Sequence, residues 1–400
     1  MAAMDNDSLR LKSNPPKLYA YKFVSEFYLV VPCLIAYYVL NGLNATQIFT
    51  VQAAFHVAVL LLEVPSGYVA DVLGRKTTLI IAAVFFPLGL ALYAFTGSFL
   101  TFVAAEVCVA VANSMRSGSD SALMYDTLII LNREKHYKRF EGRAFLFTRI
   151  GTAAASMFGG FLAVRSLHLP FYVNVVTYCL MLPIVLTLTE PPRRQRRARN
   201  PMADILKISW RCWRHPRLRL LMLMSGLVQS ASVVGIWAYF LYFRSLRISL
   251  AAVGLLFAGF QLASALGSSQ SHRLSRVLGE RKSLLAMLSI GAIFIALGAV
   301  AARPMIALIF PAALVWGFGW PVFMDAFNTL TVSEIRATVL SVAAMTASVA
   351  FIILAPAFGR IVDTRSLSEA FIALGFFYLA CGAALLVLLF RNRSEEVVIG

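Results

Sequence analysis

The residues of this 400-residue chain that could do chemistry are polar side chains inside long apolar runs. A charged side chain near the centre of a bilayer costs roughly 3 kcal/mol, so such residues usually face a water-filled cavity. An unpaired carboxylate in a low-dielectric cavity can take up a proton near neutral pH. The pattern therefore predicts a water-filled cavity that can take up protons, lined by Glu26, Arg116, Asp120, Asp325 and Asn328.

The fourth apolar run carries the densest set of such residues. Two of them, Arg116 and Asp120, permit two interpretations, a structural i,i+4 ion pair or two members of the cavity. Arg116 would favour the ionised form of Asp120, which leaves Glu26 or Asp325 as the better proton carrier. Spacings of seven, three and four predict one stripe along a straight helix, made of Glu106, Asn113, Arg116 and Asp120.

A second polar constellation lies in the turn between the second and third apolar runs. A carboxylate in such a turn can interact with the end of a neighbouring helix, while adjacent cations stay in the cytosol. A loop of this kind can latch two helical bundles in one conformation and release them in another. A simple basic turn is the alternative. We predict a gate and not a substrate site, formed by Glu63, Gly67, Asp71, Gly74, Arg75 and Lys76.

The composition excludes a soluble domain, because 60% of the residues are hydrophobic and only 14% are charged, against about 25% charged in ordinary domains. Apolar runs of roughly 20 residues recur along the chain, and each can cross a bilayer as a helix. The predicted fold class is an all-α membrane protein with twelve transmembrane helices in two six-helix bundles. The predicted spans are 19–40, 46–70, 77–97, 99–128, 144–165, 168–189, 219–243, 250–272, 283–302, 305–331, 337–359 and 367–390.

The net charge of +17 would suit a nucleic-acid partner, but the placement of the cations indicates a membrane topology instead. Cytosolic loops of membrane proteins are enriched in Lys and Arg. With an even number of spans, this bias places both termini in the cytosol and predicts no nucleic-acid partner. The loops predicted on the opposite side hold only Arg165, Arg244, Arg247, Arg303, Arg360 and Arg365 among the cations.

The five cysteines show no metal-binding spacing, and they fall within predicted spans or on the predicted cytosolic side. We therefore expect no disulfide, no metal site and no cofactor. The first apolar run is long enough to span a membrane, so we expect it to act as an uncleaved targeting signal.

One long polar interruption divides the chain. Residues 191–217 combine a run of arginines with apolar and aromatic residues, which predicts a cytosolic linker followed by an amphipathic helix on the inner leaflet. A merely solvated basic loop is the alternative for its first half. The interruption separates an N-terminal six-helix bundle, 1–190, from a C-terminal six-helix bundle, 218–400.

Short repeated sequence motifs, or echoes, relate the two halves of the chain. The turn at residues 72–76 has a counterpart at 277–282, and each follows the second span of its half. In the second turn, Arg276 occupies the position that Asp71 has in the first, so the second turn lacks the carboxylate. We therefore predict a stronger latch in the first half. Two further echoes follow in the same order, as two parallel six-helix repeats would leave them: Asp126 with Asn328, and Glu141 with Glu334.

These residues resemble the major facilitator superfamily over nearly the whole chain. The turn from Gly67 to Lys76 is similar to its signature loop between transmembrane helices 2 and 3, with Val72 where the family usually has a second arginine. The resemblance implies a central cavity lined by spans 1, 4, 7 and 10, and Gln229 lies in span 7. It also implies transport by alternating access.

Two weaker motifs point to a branch of that family. Arg116 stands where proton-linked members have a fourth-helix arginine, although Asp120 replaces the glycine that usually follows. The glycines at 151, 159 and 160 resemble the fifth-helix motif of drug/proton antiporters, with Ala155-Ser156 in place of Gly-Pro. Close helix packing is the alternative reason for these glycines.

We therefore expect a bacterial permease of the drug/proton antiporter-like branch, which is not an enzyme. It would use the transmembrane proton gradient to export a small organic compound that is amphipathic or cationic. The alternatives are proton-coupled uptake of a metabolite, translocation of a lipid or lysolipid, and a membrane sensor or scaffold without transport. The expected partners are the substrate and membrane lipids, and the expected location is the inner membrane, as a monomer.

Overall fold

The computed structural model describes residues 10–192, 201–332 and 335–391. Within these ranges, the description does not extend to the side chains of Val64, Asp71, Lys138, Ala337 and residues 201–206. All regular elements in the described ranges are helices, and no β-strand is found there.

The α-helices alternate with short turns from one end of the described chain to the other. Three short 3-10 helices accompany them, Val31–Cys33, Glu134–His136 and Arg303–Leu308. In chain order the α-helices are α1 (Asn14–Ser25), α2 (Leu34–Leu40), α3 (Ala45–Leu73), α4 (Arg75–Phe95), α5 (Phe99–Arg116), α6 (Ser119–Ile130), α7 (Tyr137–Arg165), α8 (Leu169–Cys179), α9 (Met181–Leu186), α10 (Pro201–Arg214), α11 (Pro216–Ser245), α12 (Leu250–Met287), α13 (Ser289–Ala299), α14 (Ile309–Thr329), α15 (Arg336–Thr364) and α16 (Leu367–Arg391).

The described residues form two compact units. The first unit is drawn from residues 1–37, 61–199 and 249–258, and the second from 38–60, 200–248 and 259–400. The predicted halves, 1–190 and 218–400, follow chain order. The compact units depart from that order at two places, because residues 38–60 group with the second unit and residues 249–258 with the first.

Ten helical segments of the described chain are long and apolar enough to cross a membrane, by length and composition. The protein is an integral membrane protein. Two of the twelve predicted spans, 250–272 and 283–302, fall in one segment, Leu250–Ala299, which is interrupted at Gly279. The first predicted span, 19–40, is not one helix, so the count of twelve stays a prediction.

The first predicted span is broken between α1 and α2. Residues 26–30 are not helical, and Pro32 stands in the 3-10 turn that follows. A backbone freed in this way must find other partners when water is scarce. Asn174 of α8 supplies two of them, because its Oδ1 accepts from Leu29 N at 2.7 Å and its Nδ2 donates to the Phe27 carbonyl at 2.9 Å.

The fourth predicted span is also broken, at Ser117-Gly118. Gly118 has a φ of 74°, a conformation that favours glycine. The helix α5 therefore ends at Arg116, and α6 starts at Ser119. The predicted stripe is wrong for this reason, since Arg116 and Asp120 belong to different helices.

Close backbone contacts hold α7 in the first unit. A Cβ at Gly159 would overlap the carbonyl oxygen of Leu29, and one at Gly151 would lie 2.6 Å from the carbonyl oxygen of Phe23. A Cβ at Gly160 would lie 2.7 Å from the carbonyl oxygen of Leu250. The glycine motif of α7 thus allows the close packing that small residues give membrane helices.

In the second unit, a carboxylate caps the start of α3. Asp363 of α15 accepts from the backbone N–H of Ala45 at 2.9 Å and of Thr46 at 2.7 Å. The helix α10 packs against α11 and α15, with Cys212 buried and Trp210 exposed. Burial raises the pKa of the Cys212 thiol.

Candidate functional site

A cavity of about 210 Å³ in the first unit gathers three of the predicted site residues, Glu26, Arg116 and Asp120. Glu26 follows α1 at the helix break, and Arg116 ends α5. The Arg116 guanidinium lies 2.6 Å from the Glu26 carboxylate. It also donates to the Ser25 hydroxyl at 3.0 Å and to Asn113 Oδ1 at 3.1 Å. The break therefore brings a carboxylate of α1 to a cation of α5.

Asp120 forms its ion pair with a different cation. Its Oδ2 lies 3.2 Å from Nζ of Lys22 on α1, and the same ammonium lies 3.2 Å from Oε1 of Glu141 on α7. The Ser121 hydroxyl accepts from Lys22 at 3.1 Å and donates to Glu141 Oε1 at 2.7 Å. The i,i+4 ion pair, one of the two interpretations, is therefore not formed, because Arg116 pairs with Glu26 and Asp120 pairs with Lys22. Lys22 and Glu141 were missed as site residues.

The charges around this cavity do not balance. Three carboxylates, those of Glu26, Asp120 and Glu141, face two cations, Lys22 and Arg116. The second oxygen of Glu141, Oε2, is buried and has no hydrogen-bond partner in the described chain. The cavity therefore has room for one more positive charge, which a proton or a cationic group could supply. We call these five residues the first charge cluster.

Glu106, the other acid of the predicted stripe, lies outside this cluster. It is buried, with 4% of its surface exposed, and accepts a hydrogen bond from the Tyr93 hydroxyl at 2.6 Å. The backbone carbonyl of Tyr93 in turn accepts from the Tyr37 hydroxyl at 2.8 Å. Glu106 thus belongs to a tyrosine network that joins α2, α4 and α5.

A larger cavity, of about 720 Å³, lies within the second unit. Asp325 of α14 lines it and has no ion pair or hydrogen bond to any described residue. The other two predicted residues of this unit do not line it. Gln229 accepts from the Trp316 indole at 2.7 Å, while the side-chain oxygen of Asn328 is buried without a partner in the described ranges.

The predicted gate centres on the start of α4. Gly74 has a φ of 112°, and the first two N–H groups of the helix, those of Arg75 and Lys76, donate to the Glu190 carboxylate at 3.1 and 2.6 Å. A carboxylate at this position satisfies unpaired N–H groups and matches the positive end of the helix dipole. Arg75 also forms a 2.6 Å ion pair with Asp126, though without hydrogen-bond geometry.

The remaining gate residues are less informative. Gly67 lies on α3 with open space around it, and the half-buried Glu63 accepts from the Ser66 hydroxyl through its backbone carbonyl at 3.1 Å. The side chain of Asp71 lies outside the described part of the chain. Glu190 was missed because it stands far away in sequence, next to the linker.

Comparison with solved structures gives several similar folds. The nucleoside transporter NupG has 17% identity and a TM-score of 0.79, over 97% of this chain and 100% of that one. A variant of the peptide transporter POT has 14% identity and a TM-score of 0.74, over 94% of each chain. The D-xylose-proton symporter has 16% identity and a TM-score of 0.71, over 97% of this chain and 98% of that one.

Sequence comparison places the chain in a family. No curated protein sequence matches it significantly. The sequence pattern of the Major Facilitator Superfamily, in contrast, matches residues 24–243 and 220–399. Because these two segments cover most of the sequence, the chain belongs to the Major Facilitator Superfamily.

Proposed function

We propose that this membrane transporter is a proton-coupled antiporter that works by alternating access. In this proposal it exports a small organic compound with a cationic group, as in the drug/proton antiporter-like branch, and it acts as a carrier and not as an enzyme. The observation that carries the proposal is the first charge cluster, in which three carboxylates share two cations. An antiporter needs such an excess, because the proton and the substrate cation must compete for the same negative charge.

Within the cluster, Glu141 is the proposed proton carrier. Glu26 is held by Arg116 at 2.6 Å, so it is no longer the better candidate that the sequence suggested. Asp120 and Glu141 share the single ammonium of Lys22, and one oxygen of Glu141 has no partner in the described chain. Protonation of Glu141 would leave the cluster neutral. A substrate cation would displace that proton.

A proteoliposome assay tests both the coupling and the carrier. Vesicles with an acidic lumen are given tetraphenylphosphonium, ethidium or choline outside. We expect the wild type to accumulate at least one of these cations as protons leave. Exchange of one proton for one monovalent cation moves no net charge, so the pH difference alone drives it, and each pH unit supports about a ten-fold concentration ratio. Glu141→Gln should abolish both accumulation and cation exchange at equal pH, because it removes the negative charge for which the proton and the cation compete.

Glu134→Gln is the matched control, since Glu134 is exposed and does not line the cavity. It should accumulate cations like the wild type. Undiminished accumulation by Glu141→Gln would remove Glu141 from the coupling, and no accumulation of any cation by the wild type would count against export of a cation.

The second candidate is proton-coupled uptake, which the similarity to the D-xylose-proton symporter favours. It predicts the opposite dependence on the gradient. Vesicles with an acidic exterior would then accumulate the solute, whereas an acidic lumen would drive it out. The same vesicles therefore distinguish the two directions.

We further propose twelve crossings in two six-helix bundles, 1–190 and 218–400, joined by the cytosolic segment 191–217. A single helix over Leu250–Ala299 would be about 75 Å long, more than twice the roughly 30 Å of the hydrocarbon core. A turn at Gly279, where φ is 72°, would divide this segment into two crossings. The broken helix α1–α2 supplies the remaining one. Both termini are then cytosolic, and the monomer lies in a bacterial inner membrane.

A further inference from the structure

The cavity of the second unit contains charges of both signs that no described residue neutralises. We infer that it binds a small zwitterion, with the ligand's ammonium group at Asp325 and its carboxylate at Arg276. The inference goes beyond the proposed function, because this cavity lies in the second unit and the first charge cluster lies in the first. The 720 Å³ of this cavity is in the usual range for small-molecule sites.

The anionic end of the ligand is assigned by Arg276, an exposed guanidinium at the cavity. Among the described residues, its Nη2 contacts Nε2 of His272 at 2.6 Å. This contact with an imidazole ring supplies no carboxylate to Arg276. The nearby carboxylate of Glu280 is taken by Arg217, at 3.0 and 2.8 Å. Arg276 thus has a full positive charge and no carboxylate partner in the described ranges.

Serine hydroxyls add hydrogen-bonding capacity beside this cation. Ser283 is fully buried and lines the cavity, and its hydroxyl has no hydrogen-bond partner among described residues. A buried polar group without a hydrogen-bond partner is destabilising, and a bound oxygen acceptor would remove that cost. Ser271 and Ser275 also line the cavity, but they donate to carbonyls of their own helix. Ser283 is therefore the free donor for a carboxylate.

The cationic end is assigned by Asp325. Its carboxylate is exposed at the cavity wall on α14, without an ion pair or hydrogen bond to the described chain. The wall beside it is aliphatic, from Leu221, Pro321 and Val322. An ammonium group at Asp325 would therefore be followed by a short apolar segment of the ligand.

The net charge of the cavity selects the zwitterion over a simple ion. Two arginines, Arg217 and Arg276, and two carboxylates, Glu280 and Asp325, line it. A monovalent cation would satisfy Asp325 and leave Arg276 unmatched, and an anion would do the reverse. Only a ligand with both charges satisfies both side chains. The size of the cavity allows a ligand as large as a dipeptide.

Three related probes test the inference on the purified wild type. L-alanyl-L-leucine has both charges, its N-acetyl derivative only the carboxylate, and its C-terminal amide only the ammonium. We expect the dipeptide to bind at least tenfold more tightly than either derivative in isothermal titration calorimetry. Equal binding of all three probes, or no binding of the dipeptide, would overturn the inference.

Substitutions of Arg276 and Asp325 test which end of the ligand each side chain binds. In Arg276→Gln, the dipeptide should no longer bind more tightly than the C-terminal amide. In Asp325→Asn, the dipeptide should no longer bind more tightly than the N-acetyl derivative. Arg276→Lys retains the charge and should bind within a few-fold of the wild type. Arg273→Gln is the matched control, because Arg273 is exposed on the same helix and does not line the cavity. Unchanged preferences in Arg276→Gln and Asp325→Asn would contradict the assignment.

The test separates this inference from the proposed function, because binding in detergent needs no proton gradient. Dipeptide binding without gradient-driven transport would sustain the site and refute proton coupling. Gradient-driven cation accumulation without dipeptide binding would do the opposite.

Discussion

Arg116 organises the first cavity, because its guanidinium reaches polar groups of two helices. It contacts Glu26, Ser25 and Asn113, and it lies 5.7 Å from the centre of the Phe86 ring. Removing one partner of such a pair leaves an uncompensated charge. In the proposed mechanism Arg116 is therefore a fixed cation, and the exchangeable charge is assigned to the carboxylates around Lys22.

A double-mutant cycle identifies the partner of Arg116. We expect Glu26→Gln and Arg116→Gln to be coupled by about 1–2 kcal/mol, less than a fully buried pair, because the Glu26 side chain is 30% exposed. The parallel cycle with Asp120→Asn should show coupling below about 0.5 kcal/mol. Equilibrium unfolding in detergent measures both. A larger coupling of Arg116 to Asp120 than to Glu26 would instead support the i,i+4 ion pair.

Sequence reasoning found three residues of the first charge cluster but missed Lys22, Glu141 and the pairing among the five. Glu26, Arg116 and Asp120 stand out because a charge in an apolar run is costly. Lys22 lies near the polar start of the first run, where a cation is unremarkable by composition. Glu141 was noted only as part of a short motif that is repeated in the second half of the chain. The pairing itself depends on where α1 ends and α7 packs, and spacing along one helix carries no such information.

At the scale of elements, helix breaks position the first charge cluster. The break after α1 places Glu26 beside Arg116, and Gly118 separates Arg116 from Asp120. Both breaks were missed because the apolar runs continue through them, so hydropathy predicts one span. The helical class and the locations of most spans follow from the same hydropathy. Breaks depend on partners such as Asn174 that lie far away in sequence.

Two glycines of α7 provide a matched test of close packing. Gly159→Ala would drive its Cβ into the Leu29 carbonyl, so we expect a loss of at least 1–3 kcal/mol, the rough cost of overpacking. Gly142→Ala meets nothing within 4 Å and should be neutral or stabilise by up to about 1 kcal/mol, since alanine favours helix. Thermal unfolding in detergent compares them. Equal melting temperatures for the two variants would show that α7 does not pack closely at Gly159.

At the scale of the whole molecule, the distribution of Lys and Arg sets the proposed orientation. The cations are concentrated in the loops that the twelve-crossing topology places in the cytosol, including the turn at Arg75 and Lys76. Cytosolic enrichment of cations is the main determinant of orientation in helical membrane proteins.

Cysteine labelling tests this topology in a variant without the five native cysteines. We expect cysteines at Asn44 and Ser245 to react with an impermeant maleimide in intact cells, because they lie in loops proposed to face outward. A cysteine at Thr77 should react only after permeabilisation. Labelling of Thr77 from outside would reverse the proposed orientation.

The carboxylate of Glu190 has a use in sensor design. It accepts from the first N–H groups of α4, and it lies two residues before Pro192, near the start of the segment 191–217. A fluorescent domain inserted after Pro192 would leave this contact on one side of the insertion and remain tethered to it. Changes at the start of α4 during transport would then reach the fluorophore through a very short tether, so the junction is a natural place for an optical reporter of the working cycle.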